Sequence, residues 1–260
     1  MTETTDQIMI TYEQPLNERV RTLLRLEYLF QQAEHFLLSD SAWDSRATLL
    51  NLIETTLITS RSDLKTEFIK ELERLSNNLS PMQSNPDADQ AKLSELLDEL
   101  NEAHDNFHQL QGQIGQTLRD HDFIGSIKQR STVPGGTSCV DIPAFHYWLQ
   151  LPKQQRSDDL KQWISELDLV KKATLLILRL IRDSARPTEA IAREGFYQQP
   201  LDTSVPFQLI RVTVPAGTSY FAEISGGKHR FTIRFMDMNM QERPSQTNED
   251  IAFTLTTSVI

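Results

Sequence analysis

From residue 16 onward, apolar side chains return every three or four positions, at Leu16, Val20, Leu23, Leu26, Phe30, Ala33 and Leu37. At about 100° per residue these fall on one broad face, so the pattern predicts a helix over 16–38, a span without Gly or Pro. The same period continues through 43–58 and 64–79, the second with Leu64, Phe68, Leu72, Leu75 and Leu79 as its stripe. The run SPMQSNP at 80–86 breaks it. A further helix is predicted over 87–111, with Leu93, Leu96, Leu97, Leu100, Ala103, Phe107 and Leu110 inward. Such helices with short connections suit an up-and-down bundle. After a turn at Pro134-Gly135-Gly136, a short helix is predicted over 144–151. A longer helical segment follows over 157–185, broken near Asp168.

Past Pro187 the period changes from 3.6 to 2. Residues 207–214, 220–224, 229–236 and 251–257 read as strands, and Ser225-Gly226-Gly227-Lys228 reads as a hairpin turn between two of them. Ahead of the first helix, QIMITYE at 7–13 is β-branched and aromatic and precedes Pro15, which predicts an edge strand. The fold class is therefore α+β: an N-terminal helical bundle domain over 14–186, then a small antiparallel β-rich domain over 187–260 to which 7–13 adds a strand. A sheet region of roughly 70 residues is marginal alone and needs the helices or a partner.

Composition narrows the class further. The 260 residues carry a net charge of −10, but the excess is local: 62–106 holds eleven acids and four bases, while 119–186 holds eleven bases and eight acids. Whole-chain attraction to nucleic acid or an anionic membrane is disfavoured, and a local basic site is not. There is no run of about 18 apolar residues, the length a membrane span needs. The opening MTETTDQIMI carries acid where a signal peptide carries base, so a cytoplasmic location is expected. The single cysteine, Cys139, excludes an internal disulfide; beside Val140 it is expected to be a buried packing residue.

Little of the sequence carries chemistry. Gly226-Gly227-Lys228 is followed by His229 and a strand, where a phosphate loop needs Ser or Thr and a helix. His104 and His108, four apart on a helix, could share a metal, but no third ligand is indicated and the neighbouring Asp105 and Asn106 suggest a solvated face. Ser138, Asp141 and His146 are the residue types of a nucleophile triad, without the elbow that would present the serine. No enzyme is visible, and neither a cofactor nor a metal is expected.

Arginine placement remains. Arg21, Arg25, Tyr28 and Gln32 form a polar stripe on the first helix, roughly opposite Leu23, Leu26 and Phe30. In the strand at 229–236, Arg230, Thr232 and Arg234 face away from Phe231, Ile233 and Phe235. Guanidinium forks suit carboxylates, so both faces could receive an acidic peptide. Alternatively, these arginines pair with local acids such as Glu18, or serve a helical nucleic-acid-binding protein.

Four stretches in order resemble the bacterial Z-ring-associated protein D (ZapD) family: EQPLNERVRTLLRLEYL at 13–29, VPGG with DIPAFHYWLQL and LPKQQR from 133 to 156, GFYQ at 195–198, and ISGGKHRFTIRFM at 224–236. The resemblance implies a helical domain joined to a β-rich one, a homodimer and no cofactor. It further implies a cytoplasmic cell-division factor at mid-cell, without enzymatic activity and without nucleic-acid or membrane partners. That factor would bind the C-terminal tail of the tubulin-like GTPase FtsZ and cross-link its filaments into bundles that support Z-ring assembly. Carried onto this sequence, the tail-binding positions are Arg21, Arg25, His146, Lys228, Arg230 and Arg234, with Arg119 and Arg130 as further candidates. Asp120 and Asp122 make the stretch after Arg119 less basic than the family pattern.

Overall fold

The computed structural model describes residues 8–239 and 241–260. The chain divides into two compact units: one is formed by residues up to Arg21 together with Leu178–Ile260, the other by Thr22–Ile177.

Helices account for the second unit. They are α1 (Glu18–Leu37), α2 (Ala42–Thr59), α3 (Leu64–Leu79), α4 (Gln90–Gln109), α5 (Gln116–Arg119), α6 (Asp122–Ser131), α7 (Pro143–Leu149), α8 (Lys153–Ser165) and α9 (Asp168–Asp183), with the division between units falling inside α1 and α9. Caps set two starts: the Ser41 hydroxyl accepts from the Trp43 amide, and the Asp89 carboxylate accepts from the Lys92 amide. The expected break after α3 is there and holds a 3₁₀ turn at Ser80–Ser84; the chain reverses across it, so α3 and α4 run antiparallel. Phe68 of α3 and Phe107 of α4, both buried, stack at 4.8 Å between ring centroids. Phe145, Trp148 and Trp163 form a second aromatic cluster with Phe123. Buried Arg156, in the LPKQQR stretch, donates to Ser45 Oγ and to the carbonyls of Asp40, Leu149 and Leu151, tying the start of α8 to the α1–α2 connection.

The periodicity missed α6. Its sequence, DFIGSIKQRS, has Gly125 in mid-helix and buries only Ile124 and Ile127, too few apolar positions to register a face. Cys139 corrects another expectation: it is exposed. The segment around it is turn, which runs at the surface, and Val140 beside it is also exposed.

The first unit holds the strands β1 (Met9–Pro15), β2 (Thr188–Ala192), β3 (Phe196–Pro200), β4 (Phe207–Pro215), β5 (Tyr220–Gly226), β6 (Arg230–Asp237), β7 (Ser245–Gln246) and β8 (Ile251–Val259). Instead of one small sheet there are two, each antiparallel. One runs β1-β4-β8-β2; the other runs β3-β6-β5, with short β7 also on β6. The edge position of β1 agrees with its reading; Gln7, expected to open that strand, lies outside the described residues. Unforeseen β2 and β3 are only five residues long; Arg193 after β2 bridges Phe196, leaving a two-residue turn with Glu194 at φ +48° and Gly195 at φ +69°. A single core lies between the inner faces, with Ile210, Val212, Phe231, Ile233, Phe235 and Phe253 at its centre.

Candidate peptide-binding face

Alternation along β6 decides what the outer face of its sheet presents. Phe231, Ile233 and Phe235 are fully buried, so Arg230, Thr232 and Arg234 must point outward, and both arginines are exposed. The expected hairpin turn follows β5, with the Gly227 amide donating to the Arg230 carbonyl at 3.0 Å. Lys228, His229 and Arg230 are consecutive and exposed. Arg230 and Arg234 are therefore about 13 Å apart along the strand, at roughly 3.3 Å per residue.

Register supplies their neighbours. Arg234 pairs with Glu223 on β5 and with Phe196 on β3, while Thr232 pairs with Ser225 and Gln198. Glu223, Ser225, Thr232 and Arg234, with Ile224, line a shallow depression of about 290 Å³. An exposed phenylalanine, a guanidinium and small hydroxyls thus share one surface.

Charge pairing separates these cations from others in the same unit. Arg182 grips Glu13 with two parallel hydrogen bonds, Nε to Oε1 at 2.9 Å and Nη2 to Oε2 at 2.8 Å, and Arg211 lies 3.1 Å from the same carboxylate. Arg193 pairs with Asp250, whose carboxyl is held below its ordinary value first by the Glu194 amide and then by that arginine. Among the described residues, Lys228, Arg230 and Arg234 have no carboxylate within 4 Å.

Two of the motifs meet here. Leu16 lies over Gly226, where an added Cβ would come within 2.4 Å of the Leu16 Cδ2. The Leu16 amide donates to the Gln208 carbonyl, and Asn17 caps the start of α1 by accepting from the Val20 amide. The beginning of α1 is thereby fixed beside the hairpin, and Arg21 follows one turn later.

The other sequence-derived positions occupy separate elements. Arg21 pairs with Glu18 at 3.1 Å, as the alternative reading of local pairing expects. Arg25 is exposed on α1 in the helical unit, and Tyr28 accepts from Gln32. Arg119, on α5, donates to Gln116; Arg130, on α6, stands 3.9 Å from Asp141; His146 is exposed on α7. Ser138 is hydrogen-bonded to Asp141 at 3.3 Å. Sequence reasoning did not find Glu223 or Phe196, because both enter through register: Glu223 is one acid among many, and Phe196 lies on a strand too short to recognise.

A family model described as "Cell division protein", ZapD, matches residues 24–234. The chain belongs to the ZapD family. The cell division protein ZapD of Methylococcus capsulatus (strain Bath) is 42% identical over 251 residues, covering 96% of this chain and 98% of that protein. The ZapD match includes all the sequence-derived site positions except Arg21, and it spans both compact units. No helix among the described residues is long and apolar enough to cross a membrane.

Proposed function

We propose that this chain is a non-enzymatic cell-division factor that binds the C-terminal tail of FtsZ on the β5–β6 face and, as a homodimer, cross-links FtsZ filaments into bundles at the division site in the cytoplasm. The observation that carries this reading is exposed Lys228 with the outward Arg230 and Arg234, none with a carboxylate partner among the described residues, beside Phe196 and a shallow depression. Membership of the ZapD family supports it.

Recognition follows from the chemistry of that surface. An extended peptide laid across β6 presents alternate side chains to one face, so acidic residues meet the arginine forks while apolar ones reach Phe196. Exposed contacts of this kind are individually weak. A two-fold dimer supplies two equivalent sites, and a filament supplies many tails, so the second contact is effectively intramolecular and bundling is far stronger than one site. The net charge of −10 opposes a nucleic-acid ligand for the same cations.

Pelleting with GTP-assembled FtsZ tests the reading. Co-sedimentation and bundling with full-length FtsZ, lost with tail-deleted FtsZ, are expected; equal pelleting with both forms would contradict it.

A further inference from the structure

On the antiparallel pair α3–α4, Glu73, His104 and His108 converge so that one ligand atom from each lies within 4.8 Å of the others, the one such group found among the described residues. The helical spacing of the two histidines puts them on one face; the third group comes from the neighbouring helix, 31 residues earlier, where no sequence pattern could announce it. We propose that these three side chains form a zinc(II) site that clamps α3 to α4.

Two of the three ligand-to-ligand distances are those a metal requires, and the third is within 4.8 Å. At Zn–N and Zn–O bonds of about 2.0–2.1 Å, tetrahedral ligand atoms stand about 3.3–3.4 Å apart. His104 Nε2 is 3.2 Å from His108 Nε2 and 3.3 Å from Glu73 Oε1. A cation placed among the three takes one lone pair from each side chain. Without one, two imidazole nitrogens and a carboxylate oxygen crowd together, and the tautomers decide which of the contacts is a hydrogen bond.

The surroundings fit as well. The other ring nitrogen of His104, Nδ1, faces Asp105 at 3.3 Å, the outer carboxylate that orients a metal-binding imidazole and leaves Nε2 free to coordinate. Phe107, next to His108, is fully buried and stacked on Phe68, and Leu72, next to Glu73, is fully buried too, so packing fixes both backbones. Two imidazoles and one carboxylate suit zinc rather than magnesium or calcium, which prefer all-oxygen sets. Three protein ligands leave the fourth tetrahedral position for water. Because the ligands come from two helices, bound zinc stabilises the folded pair by mass action.

Titration calorimetry with zinc chloride on the full chain, free of any affinity tag, tests this. About one zinc per chain is expected, with a rise in melting temperature that a chelator reverses. His104→Ala, His108→Ala and Glu73→Gln should each weaken binding by at least about tenfold, Asp105→Asn should weaken it by about tenfold, and exposed His35→Ala should leave it unchanged. Circular dichroism without zinc confirms that the variants fold, and cobalt(II) loading should give the visible absorption of a tetrahedral site. Absence of saturable binding, or binding equally strong in His104→Ala and His108→Ala, would overturn the proposal and leave the cluster a proton-sharing surface group.

Discussion

Arg234 stands directly opposite Glu223 in the β5–β6 ladder, yet no ion pair within 4 Å closes between them. Cross-strand partners with opposite charges attract even when they do not touch, at a scale of about 0.2–1 kcal/mol for exposed groups. Glu223 thus competes with any acidic peptide for the guanidinium. Glu223→Gln should raise the affinity for an FtsZ tail peptide by about two- to fivefold, measured by fluorescence anisotropy. A weaker complex would mean that the carboxylate orients Arg234 rather than competing with the ligand.

The opposite face of the same strand should behave as core. Phe231 and Phe235 are fully buried, and Phe235 meets Tyr220 edge-on at 5.5 Å and Phe253 at 5.3 Å. Phe231→Ala or Phe235→Ala should cost about 3–5 kcal/mol in denaturant melts. Arg230→Glu and Arg234→Glu should change stability by only about 0.5 kcal/mol, since neither arginine holds a carboxylate among the described residues.

The β2–β3 turn has a different dependence. Gly195 has φ +69°, and a Cβ there would approach the Thr247 carbonyl to 2.6 Å, a backbone atom that cannot swing aside. Gly195→Ala should destabilise by at least about 1–2 kcal/mol from the backbone conformation alone, and more from the clash. The adjacent Asp250 carboxyl, lowered by the Glu194 amide and Arg193, adds stability that is present above its unfolded value and is lost as pH falls through the folded one. In Asp250→Asn that part of the acid transition should vanish.

Much of this was legible in the sequence, for identifiable reasons. Helices with long apolar stripes, such as α3, and strands with strict alternation, such as β6, were found close to their true ends. Short elements were not: β2 and β3 have five residues each, and α6 has an internal glycine. Two sheets cannot be told from one by alternation, because period 2 states which side chains turn inward but not which strands pair. The arginine row of β6 was legible for the same reason that Glu223 and Phe196 were not: a row is local, and register is long-range.

Salt offers an independent check. Contacts between exposed charges are screened over about 8 Å at physiological ionic strength and about 3 Å at 1 M. Bundling followed by light scattering should therefore weaken as potassium chloride rises, after correction for the assembly of FtsZ itself. Salt-independent scattering would place the contact on apolar surface instead.

The most direct test is a titration of FtsZ tail peptide against the wild-type chain and the Arg230→Glu, Arg234→Glu double variant, with thermal melts on both. Each reversal turns a favourable contact into like-charge repulsion, so the variant should melt normally and bind at least tenfold more weakly. Normal melting with unchanged peptide affinity would contradict the assignment of this face.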